Sequence, residues 1–215
     1  MNVNALPFNW IDLAVVAIVG VGVARGRKRG MSEELLDVLK WVVIVFACSR
    51  LYAPLGGMLS QATVFSTLSC YVAVYSLLAL LIHLIFAAIR RQIGTKLVSS
   101  DFFGMGEYYM GMVAGGFRYL CVILVAFAIL HARYYSPQEL QAQEAAQQRD
   151  FGSSFFPTFG TFQQSIFQHS FVGSHVQTFL GPLLIASTAP DSKGLQKHES
   201  VRAREKGVYD LMDRR

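Results

Sequence analysis

Charge is scarce in this chain. Only 15% of its 215 residues are Asp, Glu, Lys or Arg, against roughly 25% in soluble domains. None of the four occurs from Leu51 to Ile89, a run of 39 residues. Hydrophobic residues make up 53% and the mean hydropathy is +0.39. A chain of this length cannot enclose so much apolar surface in a water-soluble core. The balance excludes an ordinary cytosolic enzyme, a disordered chain and a disulfide scaffold. It reads as an integral membrane protein.

Other absences narrow the function. The three cysteines, Cys48, Cys70 and Cys121, lie in apolar runs with no C-x-x-C and no His at ligand spacing, so they read as small buried hydrophobes. No G-x-S-x-G, H-E-x-x-H or phosphate-cradling Gly-Lys-Ser/Thr loop occurs. His169 and His175 fall in a Phe/Gln/Ser-rich tail that is too small for a catalytic domain. No enzyme activity, metal or cofactor is expected, and there is no internal repeat. The net charge of +5 does not form a basic face with interleaved aromatics, so no nucleic acid partner is expected. A cleavable signal carries its basic residues before the apolar run. Here Phe8–Ala24 precedes Arg25, Arg27, Lys28 and Arg29, the order of an uncleaved first span.

About 20 residues at 1.5 Å each cross the hydrocarbon core, and four segments qualify: about 7–24, 35–55, 64–89 and 108–130. Lys and Arg number four in Arg25–Glu34 and three in Arg90–Glu107, with none in residues 1–7 or Leu51–Thr63. By the positive-inside rule both termini face away from the cytoplasm. Residues 1–132 form this membrane unit and 133–215 an extracytoplasmic tail. In the tail, Ser136-Pro137-Gln138-Glu139 is a capping box with proline at the first helical position, opening a polar helix over 137–148. Residues 151–190 contain eight Phe and no Asp, Glu, Lys or Arg, but no 18-residue window is predominantly apolar, which argues against a fifth span. Phe155, Phe159, Phe162 and Ile166, then Val172, Val176, Phe179 and Leu183, recur at helical spacing. Those amphipathic helices should lie in the membrane interface or roof the bundle. Residues 191–215 are a charged, solvated end.

The densest constellation is Glu107-x-x-x-Gly111-x-x-x-Gly115-x-x-Arg118, whose offsets share one helical face. Gly111 and Gly115, followed by Gly116, match the small-xxx-small pattern of close membrane-helix packing. Glu107 falls at the cytoplasmic mouth and Arg118 about 16 Å further along the axis. A central Arg costs roughly 2.5 kcal/mol or more to insert, so it must face the bundle interior, a partner or water. Depth matching favours an Asp12–Arg50 pair, with Arg118 reaching Asp12 as second choice. His83 reads as hydrogen-bonded glue rather than a proton relay. The basic turn Arg25-Gly26-Arg27-Lys28-Arg29-Gly30, followed by Glu33 and Glu34, reads as orientation and anionic-lipid contact; its glycines serve the turn or close packing.

Together Asn9-Trp10-Ile11-Asp12, the helix after it, Arg25-Gly26…Arg29-Gly30…Glu33 and Glu107…Gly111…Gly115…Arg118 resemble the CvpA (colicin V production protein) family over about residues 8–132. Tyr119 departs from the pattern, standing where a small residue often follows the Arg. The resemblance implies a bacterial inner-membrane protein serving colicin V production or export and envelope homeostasis, with no established reaction. The fold expected is an all-α, four-span polytopic bundle with an amphipathic C-terminal helical tail. Its expected partners are the lipid bilayer, further copies or other inner-membrane proteins, met through Gly111 and Gly115. The competing readings are a small channel or transporter subunit using Arg118, Asp12 and His83, and an accessory subunit of a peptide exporter.

Overall fold

The computed structural model describes residues 9–98, 106–152 and 158–189. Its elements are α1 (Trp10–Ala62), α2 (Thr67–Val98), α3 (Glu107–His131), α4 (Pro137–Phe151), α5 (Phe159–Phe167), α6 (Phe171–Leu180) and a 3-10 turn at Gly181–Leu183. The described residues contain no strand, only an isolated bridge between Arg133 and Thr188. α1, α2 over Thr67–Gln92, and α3 are each long and apolar enough to cross a membrane.

α1 begins with a capping box: the Asn9 side chain takes backbone N–H, and the Asn9 N–H donates to Asp12 at 2.9 Å. Its 53 residues would make a straight rod about 80 Å long. Yet Ile11 and Val15 share one buried cluster with Ile44, Cys48 and Tyr52. The chain therefore folds back, and it does so at Gly30, whose φ of 78 and ψ of 169 are the non-helical pair inside α1. A positive φ is nearly free for glycine and costly for other residues. The basic segment expected as a turn over Arg25–Glu34 is thus helical on both sides, with the reversal concentrated on one residue.

The C-terminal helix ends extend past the hydrophobic runs, whereas α2 starts three residues inside its expected run. The second arm of α1 passes through Pro54 to Ala62, and α2 runs from Thr67 to Val98. The apolar run marks what must avoid water, whereas backbone bonding continues until a residue leaves helical geometry, as Thr63 does with ψ 165. α3 differs from its expected bounds by one residue at each end. α4 carries the expected box, with Glu139 N–H donating to Ser136 and Ser136 N–H to Glu139, both at 3.2 Å. It runs to Phe151 and stops at Gly152, left-handed at φ 65.

Part of the amphipathic segment packs as a roof on the helices themselves. α5, α6 and the segment after them cover the end of the bundle opposite Gly30. Ile166, Phe167, Leu184 and Ile185 are buried in the same cluster as Ile11, Tyr52 and Phe127, so residues on both sides of position 132 share one core. Within the expected stripes, Ile166, Phe162, Val172 and Val176 pack inward, while Phe159 and Phe179 are exposed. Phe155 and residues 191–215 lie outside the described residues. Elsewhere the outer faces of α1, α2 and α3 expose Leu13, Phe46, Leu77, Leu81, Val113 and Phe117, as a bundle dissolved in lipid would.

Candidate functional site

Three features meet at the folded-back end of α1: a glycine seam, a charge cluster and a shared helix cap. The seam comes first because it sets the approach of the backbones. Gly22, Gly26 and Gly30, spaced by four, lie against Gly111 and Gly115 of α3. A Cβ built on Gly111 would sit 2.6 Å from the Gly26 carbonyl oxygen and 2.8 Å from the Gly30 carbonyl carbon. One on Gly26 would strike the Gly111 carbonyl, and one on Gly115 the Gly22 carbonyl. A Cβ on Gly116 would lie 3.1 Å from the Val23 side chain. Gly111 and Gly115 are therefore filled by the chain's own first arm. Tyr119 packs its ring where a Cβ of Gly22 would be, at 2.7 Å.

The seam brings Arg118 over the start of the second arm. Helical side chains lean toward the N-terminus of their own helix, so Arg118 points back toward Glu107. Its Nη1 reaches Glu34 Oε2 at 2.7 Å and Asp37 Oδ2 at 3.1 Å. The Glu34 contact is an ion pair without hydrogen-bond alignment; the Asp37 contact is aligned. Glu34 and Asp37, three residues apart, share one face. Asp37 also receives Lys40 at 3.0 Å, Arg90 at 3.2 Å and Arg29 at 3.5 Å, and Arg29 reaches Glu34 at 3.5 Å. Glu34 is 0% exposed and Arg118 7%. Buried charge survives only when paired, and here four cations converge on two carboxylates.

Glu107 caps the second arm from outside it. Its Oε1 accepts the Ser32 N–H at 3.3 Å, one of the orphan donors at a helix start, where the helix dipole also favours negative charge. Asp12 does the same at the other end of the bundle. It accepts the Ser170 hydroxyl at 2.8 Å, the Val172 N–H at 2.9 Å and the Phe171 N–H at 3.1 Å, so it holds the N-terminus of α6. Tyr52 Oη accepts the Ala186 N–H at 2.9 Å, and Gln163 donates to the Leu130 and Arg133 carbonyls at 2.9 and 2.8 Å. Losing a cap of this kind costs about 1–2 kcal/mol. Asp12→Ala should raise the rate at which a protease cuts between residues 152 and 190 by roughly five- to thirtyfold, read by gel on membranes. An unchanged rate would show that the Asp12 latch contributes nothing.

Neither expected partner of Asp12 is found. Arg50 is exposed with no ion pair among the described residues, and Arg118 turns the other way. Depth matching failed because it compared Cα positions, whereas an Arg head lies more than a helical turn from its own Cα. His83 sits exposed on α2, apart from both. Arg25, Arg27 and Lys28 are exposed, and Arg29 and Glu33 are half-buried. Sequence reasoning missed Gly22 and Asp37 and gave Glu34 no role. Two signals could have found them: the four-residue glycine spacing upstream of Gly26, and a carboxylate pair at i, i+3 opposite a lone span arginine.

No curated protein and no solved structure matches the chain. Its sequence does match the family described as colicin V production protein, over residues 11–172, which extends the likeness past position 132 through α5. That stretch holds the glycine seam, the Glu34–Asp37–Arg118 cluster and the Asp12 latch, and the chain belongs to the colicin V production protein family.

Proposed function

We propose that this protein is a non-enzymatic structural component of the bacterial inner membrane, serving toxin export and envelope homeostasis as a helical scaffold. It crosses the bilayer four times: the two arms of α1, α2 and α3. Both termini lie outside the cytoplasm. The basic residues around Gly30 and at Arg90 and Arg91 gather at one end of the bundle and the roof at the other, which supports this orientation.

The observation that carries the scaffold reading is the distribution of buried charge. Among the described residues it occurs in two separate places, at Asp12 under the roof and in the Glu34–Asp37–Arg118 cluster. Ile11, Val15, Ile44, Cys48, Ile123 and Phe127 lie between them in a continuous apolar core. A conduit needs polar groups at graded depths. Here Glu34, Asp37 and Arg118 are consumed by ion pairs and hold α1, α2 and α3 in register, while Asp12 is consumed by the amides and hydroxyl at the start of α6.

Alkaline phosphatase fused after residue 215 should be active, and fused after Gln92 inactive; an inactive fusion after 215 would overturn the orientation. In a toxin-secretion assay, Gly111→Leu should be at least as damaging as Arg118→Gln. The channel reading predicts instead that Arg118→Gln abolishes activity while the protein still assembles.

A further inference from the structure

We infer that the outer surface between the first arm of α1 and the start of α3 is a binding site for one anionic phospholipid of the basic-side leaflet. A groove of about 1190 Å³ runs there, above the roughly 300–1,000 Å³ typical of a compact small-molecule pocket. Its walls are Val16, Val19, Val23 and Ala24 on α1 and Met112 on α3. Gly20 opens the middle, since a Cβ there would meet nothing within 4 Å.

One end of the groove is chemically different. Arg27 and Lys28 line it, exposed and without an ion pair among the described residues. Tyr108 and Tyr109 form the lip, and Tyr109 is 72% exposed. From Val16 to Lys28 the arm rises about 18 Å, close to the half-thickness of a roughly 30 Å hydrocarbon core. The site thus offers one leaflet's depth of apolar wall, ending in two cations and two interfacial aromatics. An acyl chain fits the wall and a phosphate headgroup the cations. A second transmembrane helix would fill the wall but leave Arg27 and Lys28 unmatched, which favours the lipid.

The inference rests on the membrane embedding proposed above, but the fusion reporters test that embedding without reference to bound lipid. The experiment is native mass spectrometry of the full chain in mild detergent, titrated with phosphatidylglycerol and with phosphatidylcholine of the same acyl chains. The wild type should retain one phosphatidylglycerol, at least about tenfold in preference to phosphatidylcholine. Arg27→Gln with Lys28→Gln should erase that preference by about tenfold or more, as expected for two headgroup contacts. Arg27→Lys with Lys28→Arg should keep it. Gly20→Leu, whose Cβ would meet nothing within 4 Å and whose side chain would project into the groove, should lower retention of both lipids while the lipid-free melting temperature stays unchanged. Equal affinity for the two lipids, no retained lipid, or full retention by Gly20→Leu would overturn the site. The wild-type preference decides even if a variant does not fold.

Discussion

Gly26→Leu should remove the folded protein from membranes almost entirely. The reason is geometric. The Gly26 Cβ would collide with the Gly111 carbonyl, and the next atoms in reach are backbone too, the Gly115 Cα at 3.0 Å among them. Backbone cannot swing aside as a flexible side chain can. Overpacking a core by even a methylene costs about 1–3 kcal/mol, and a leucine here must force α1 and α3 apart along their whole seam. That separation also withdraws Glu107 from the start of the second arm and Arg118 from Glu34. Gly20→Ala and Gly57→Ala, at positions where a Cβ meets nothing within 4 Å, should leave accumulation and melting unchanged. Immunoblots of membrane fractions and melting of the detergent-solubilised chain check both halves. Normal accumulation of Gly26→Leu would mean that the seam does not hold the bundle.

Arg118→Met should destabilise the fold by about 3–5 kcal/mol, the usual consequence of leaving one partner of a buried ion pair behind. Asp37 would keep Arg29, Lys40 and Arg90, but Glu34, fully enclosed, would keep only Arg29 at 3.5 Å among the described residues. The loss should therefore fall on Glu34, and Arg118→Met combined with Glu34→Gln should recover most of it. A double-mutant cycle on Arg118 and Glu34, read by denaturant unfolding in micelles, measures the coupling. A double variant no more stable than Arg118→Met would place the dependence on Arg118 elsewhere, for example on its packing over the Tyr119 ring at 5.0 Å.

Much of this protein is legible in its residues because the driving force acts locally. Apolar runs too long for water mark α1, α2 and α3. Ser136-Pro137-Gln138-Glu139 opens α4 by satisfying its own first amides. Gly111, Gly115 and Arg118 lie on one face of α3 because helical spacing alone puts them there, and no later folding step can alter that.

What the tertiary structure decided is which groups meet. Gly111 and Gly115 announce a close approach, but only the reversal at Gly30 places Gly22 and Gly26 opposite them. Asp12 and Glu107 look like first-turn carboxylates of their own helices. Each serves another helix start across the bundle, Glu107 at the second arm of α1 and Asp12 at α6 in addition to its own capping box. Arg118 demands a carboxylate wherever it is buried, yet its choice of Glu34 and Asp37 over Asp12 follows from the direction of its side chain and the register of the glycine seam. Periodicity determines the face a residue occupies. Its partner depends on how two backbones pack, and that is a property of the assembled bundle.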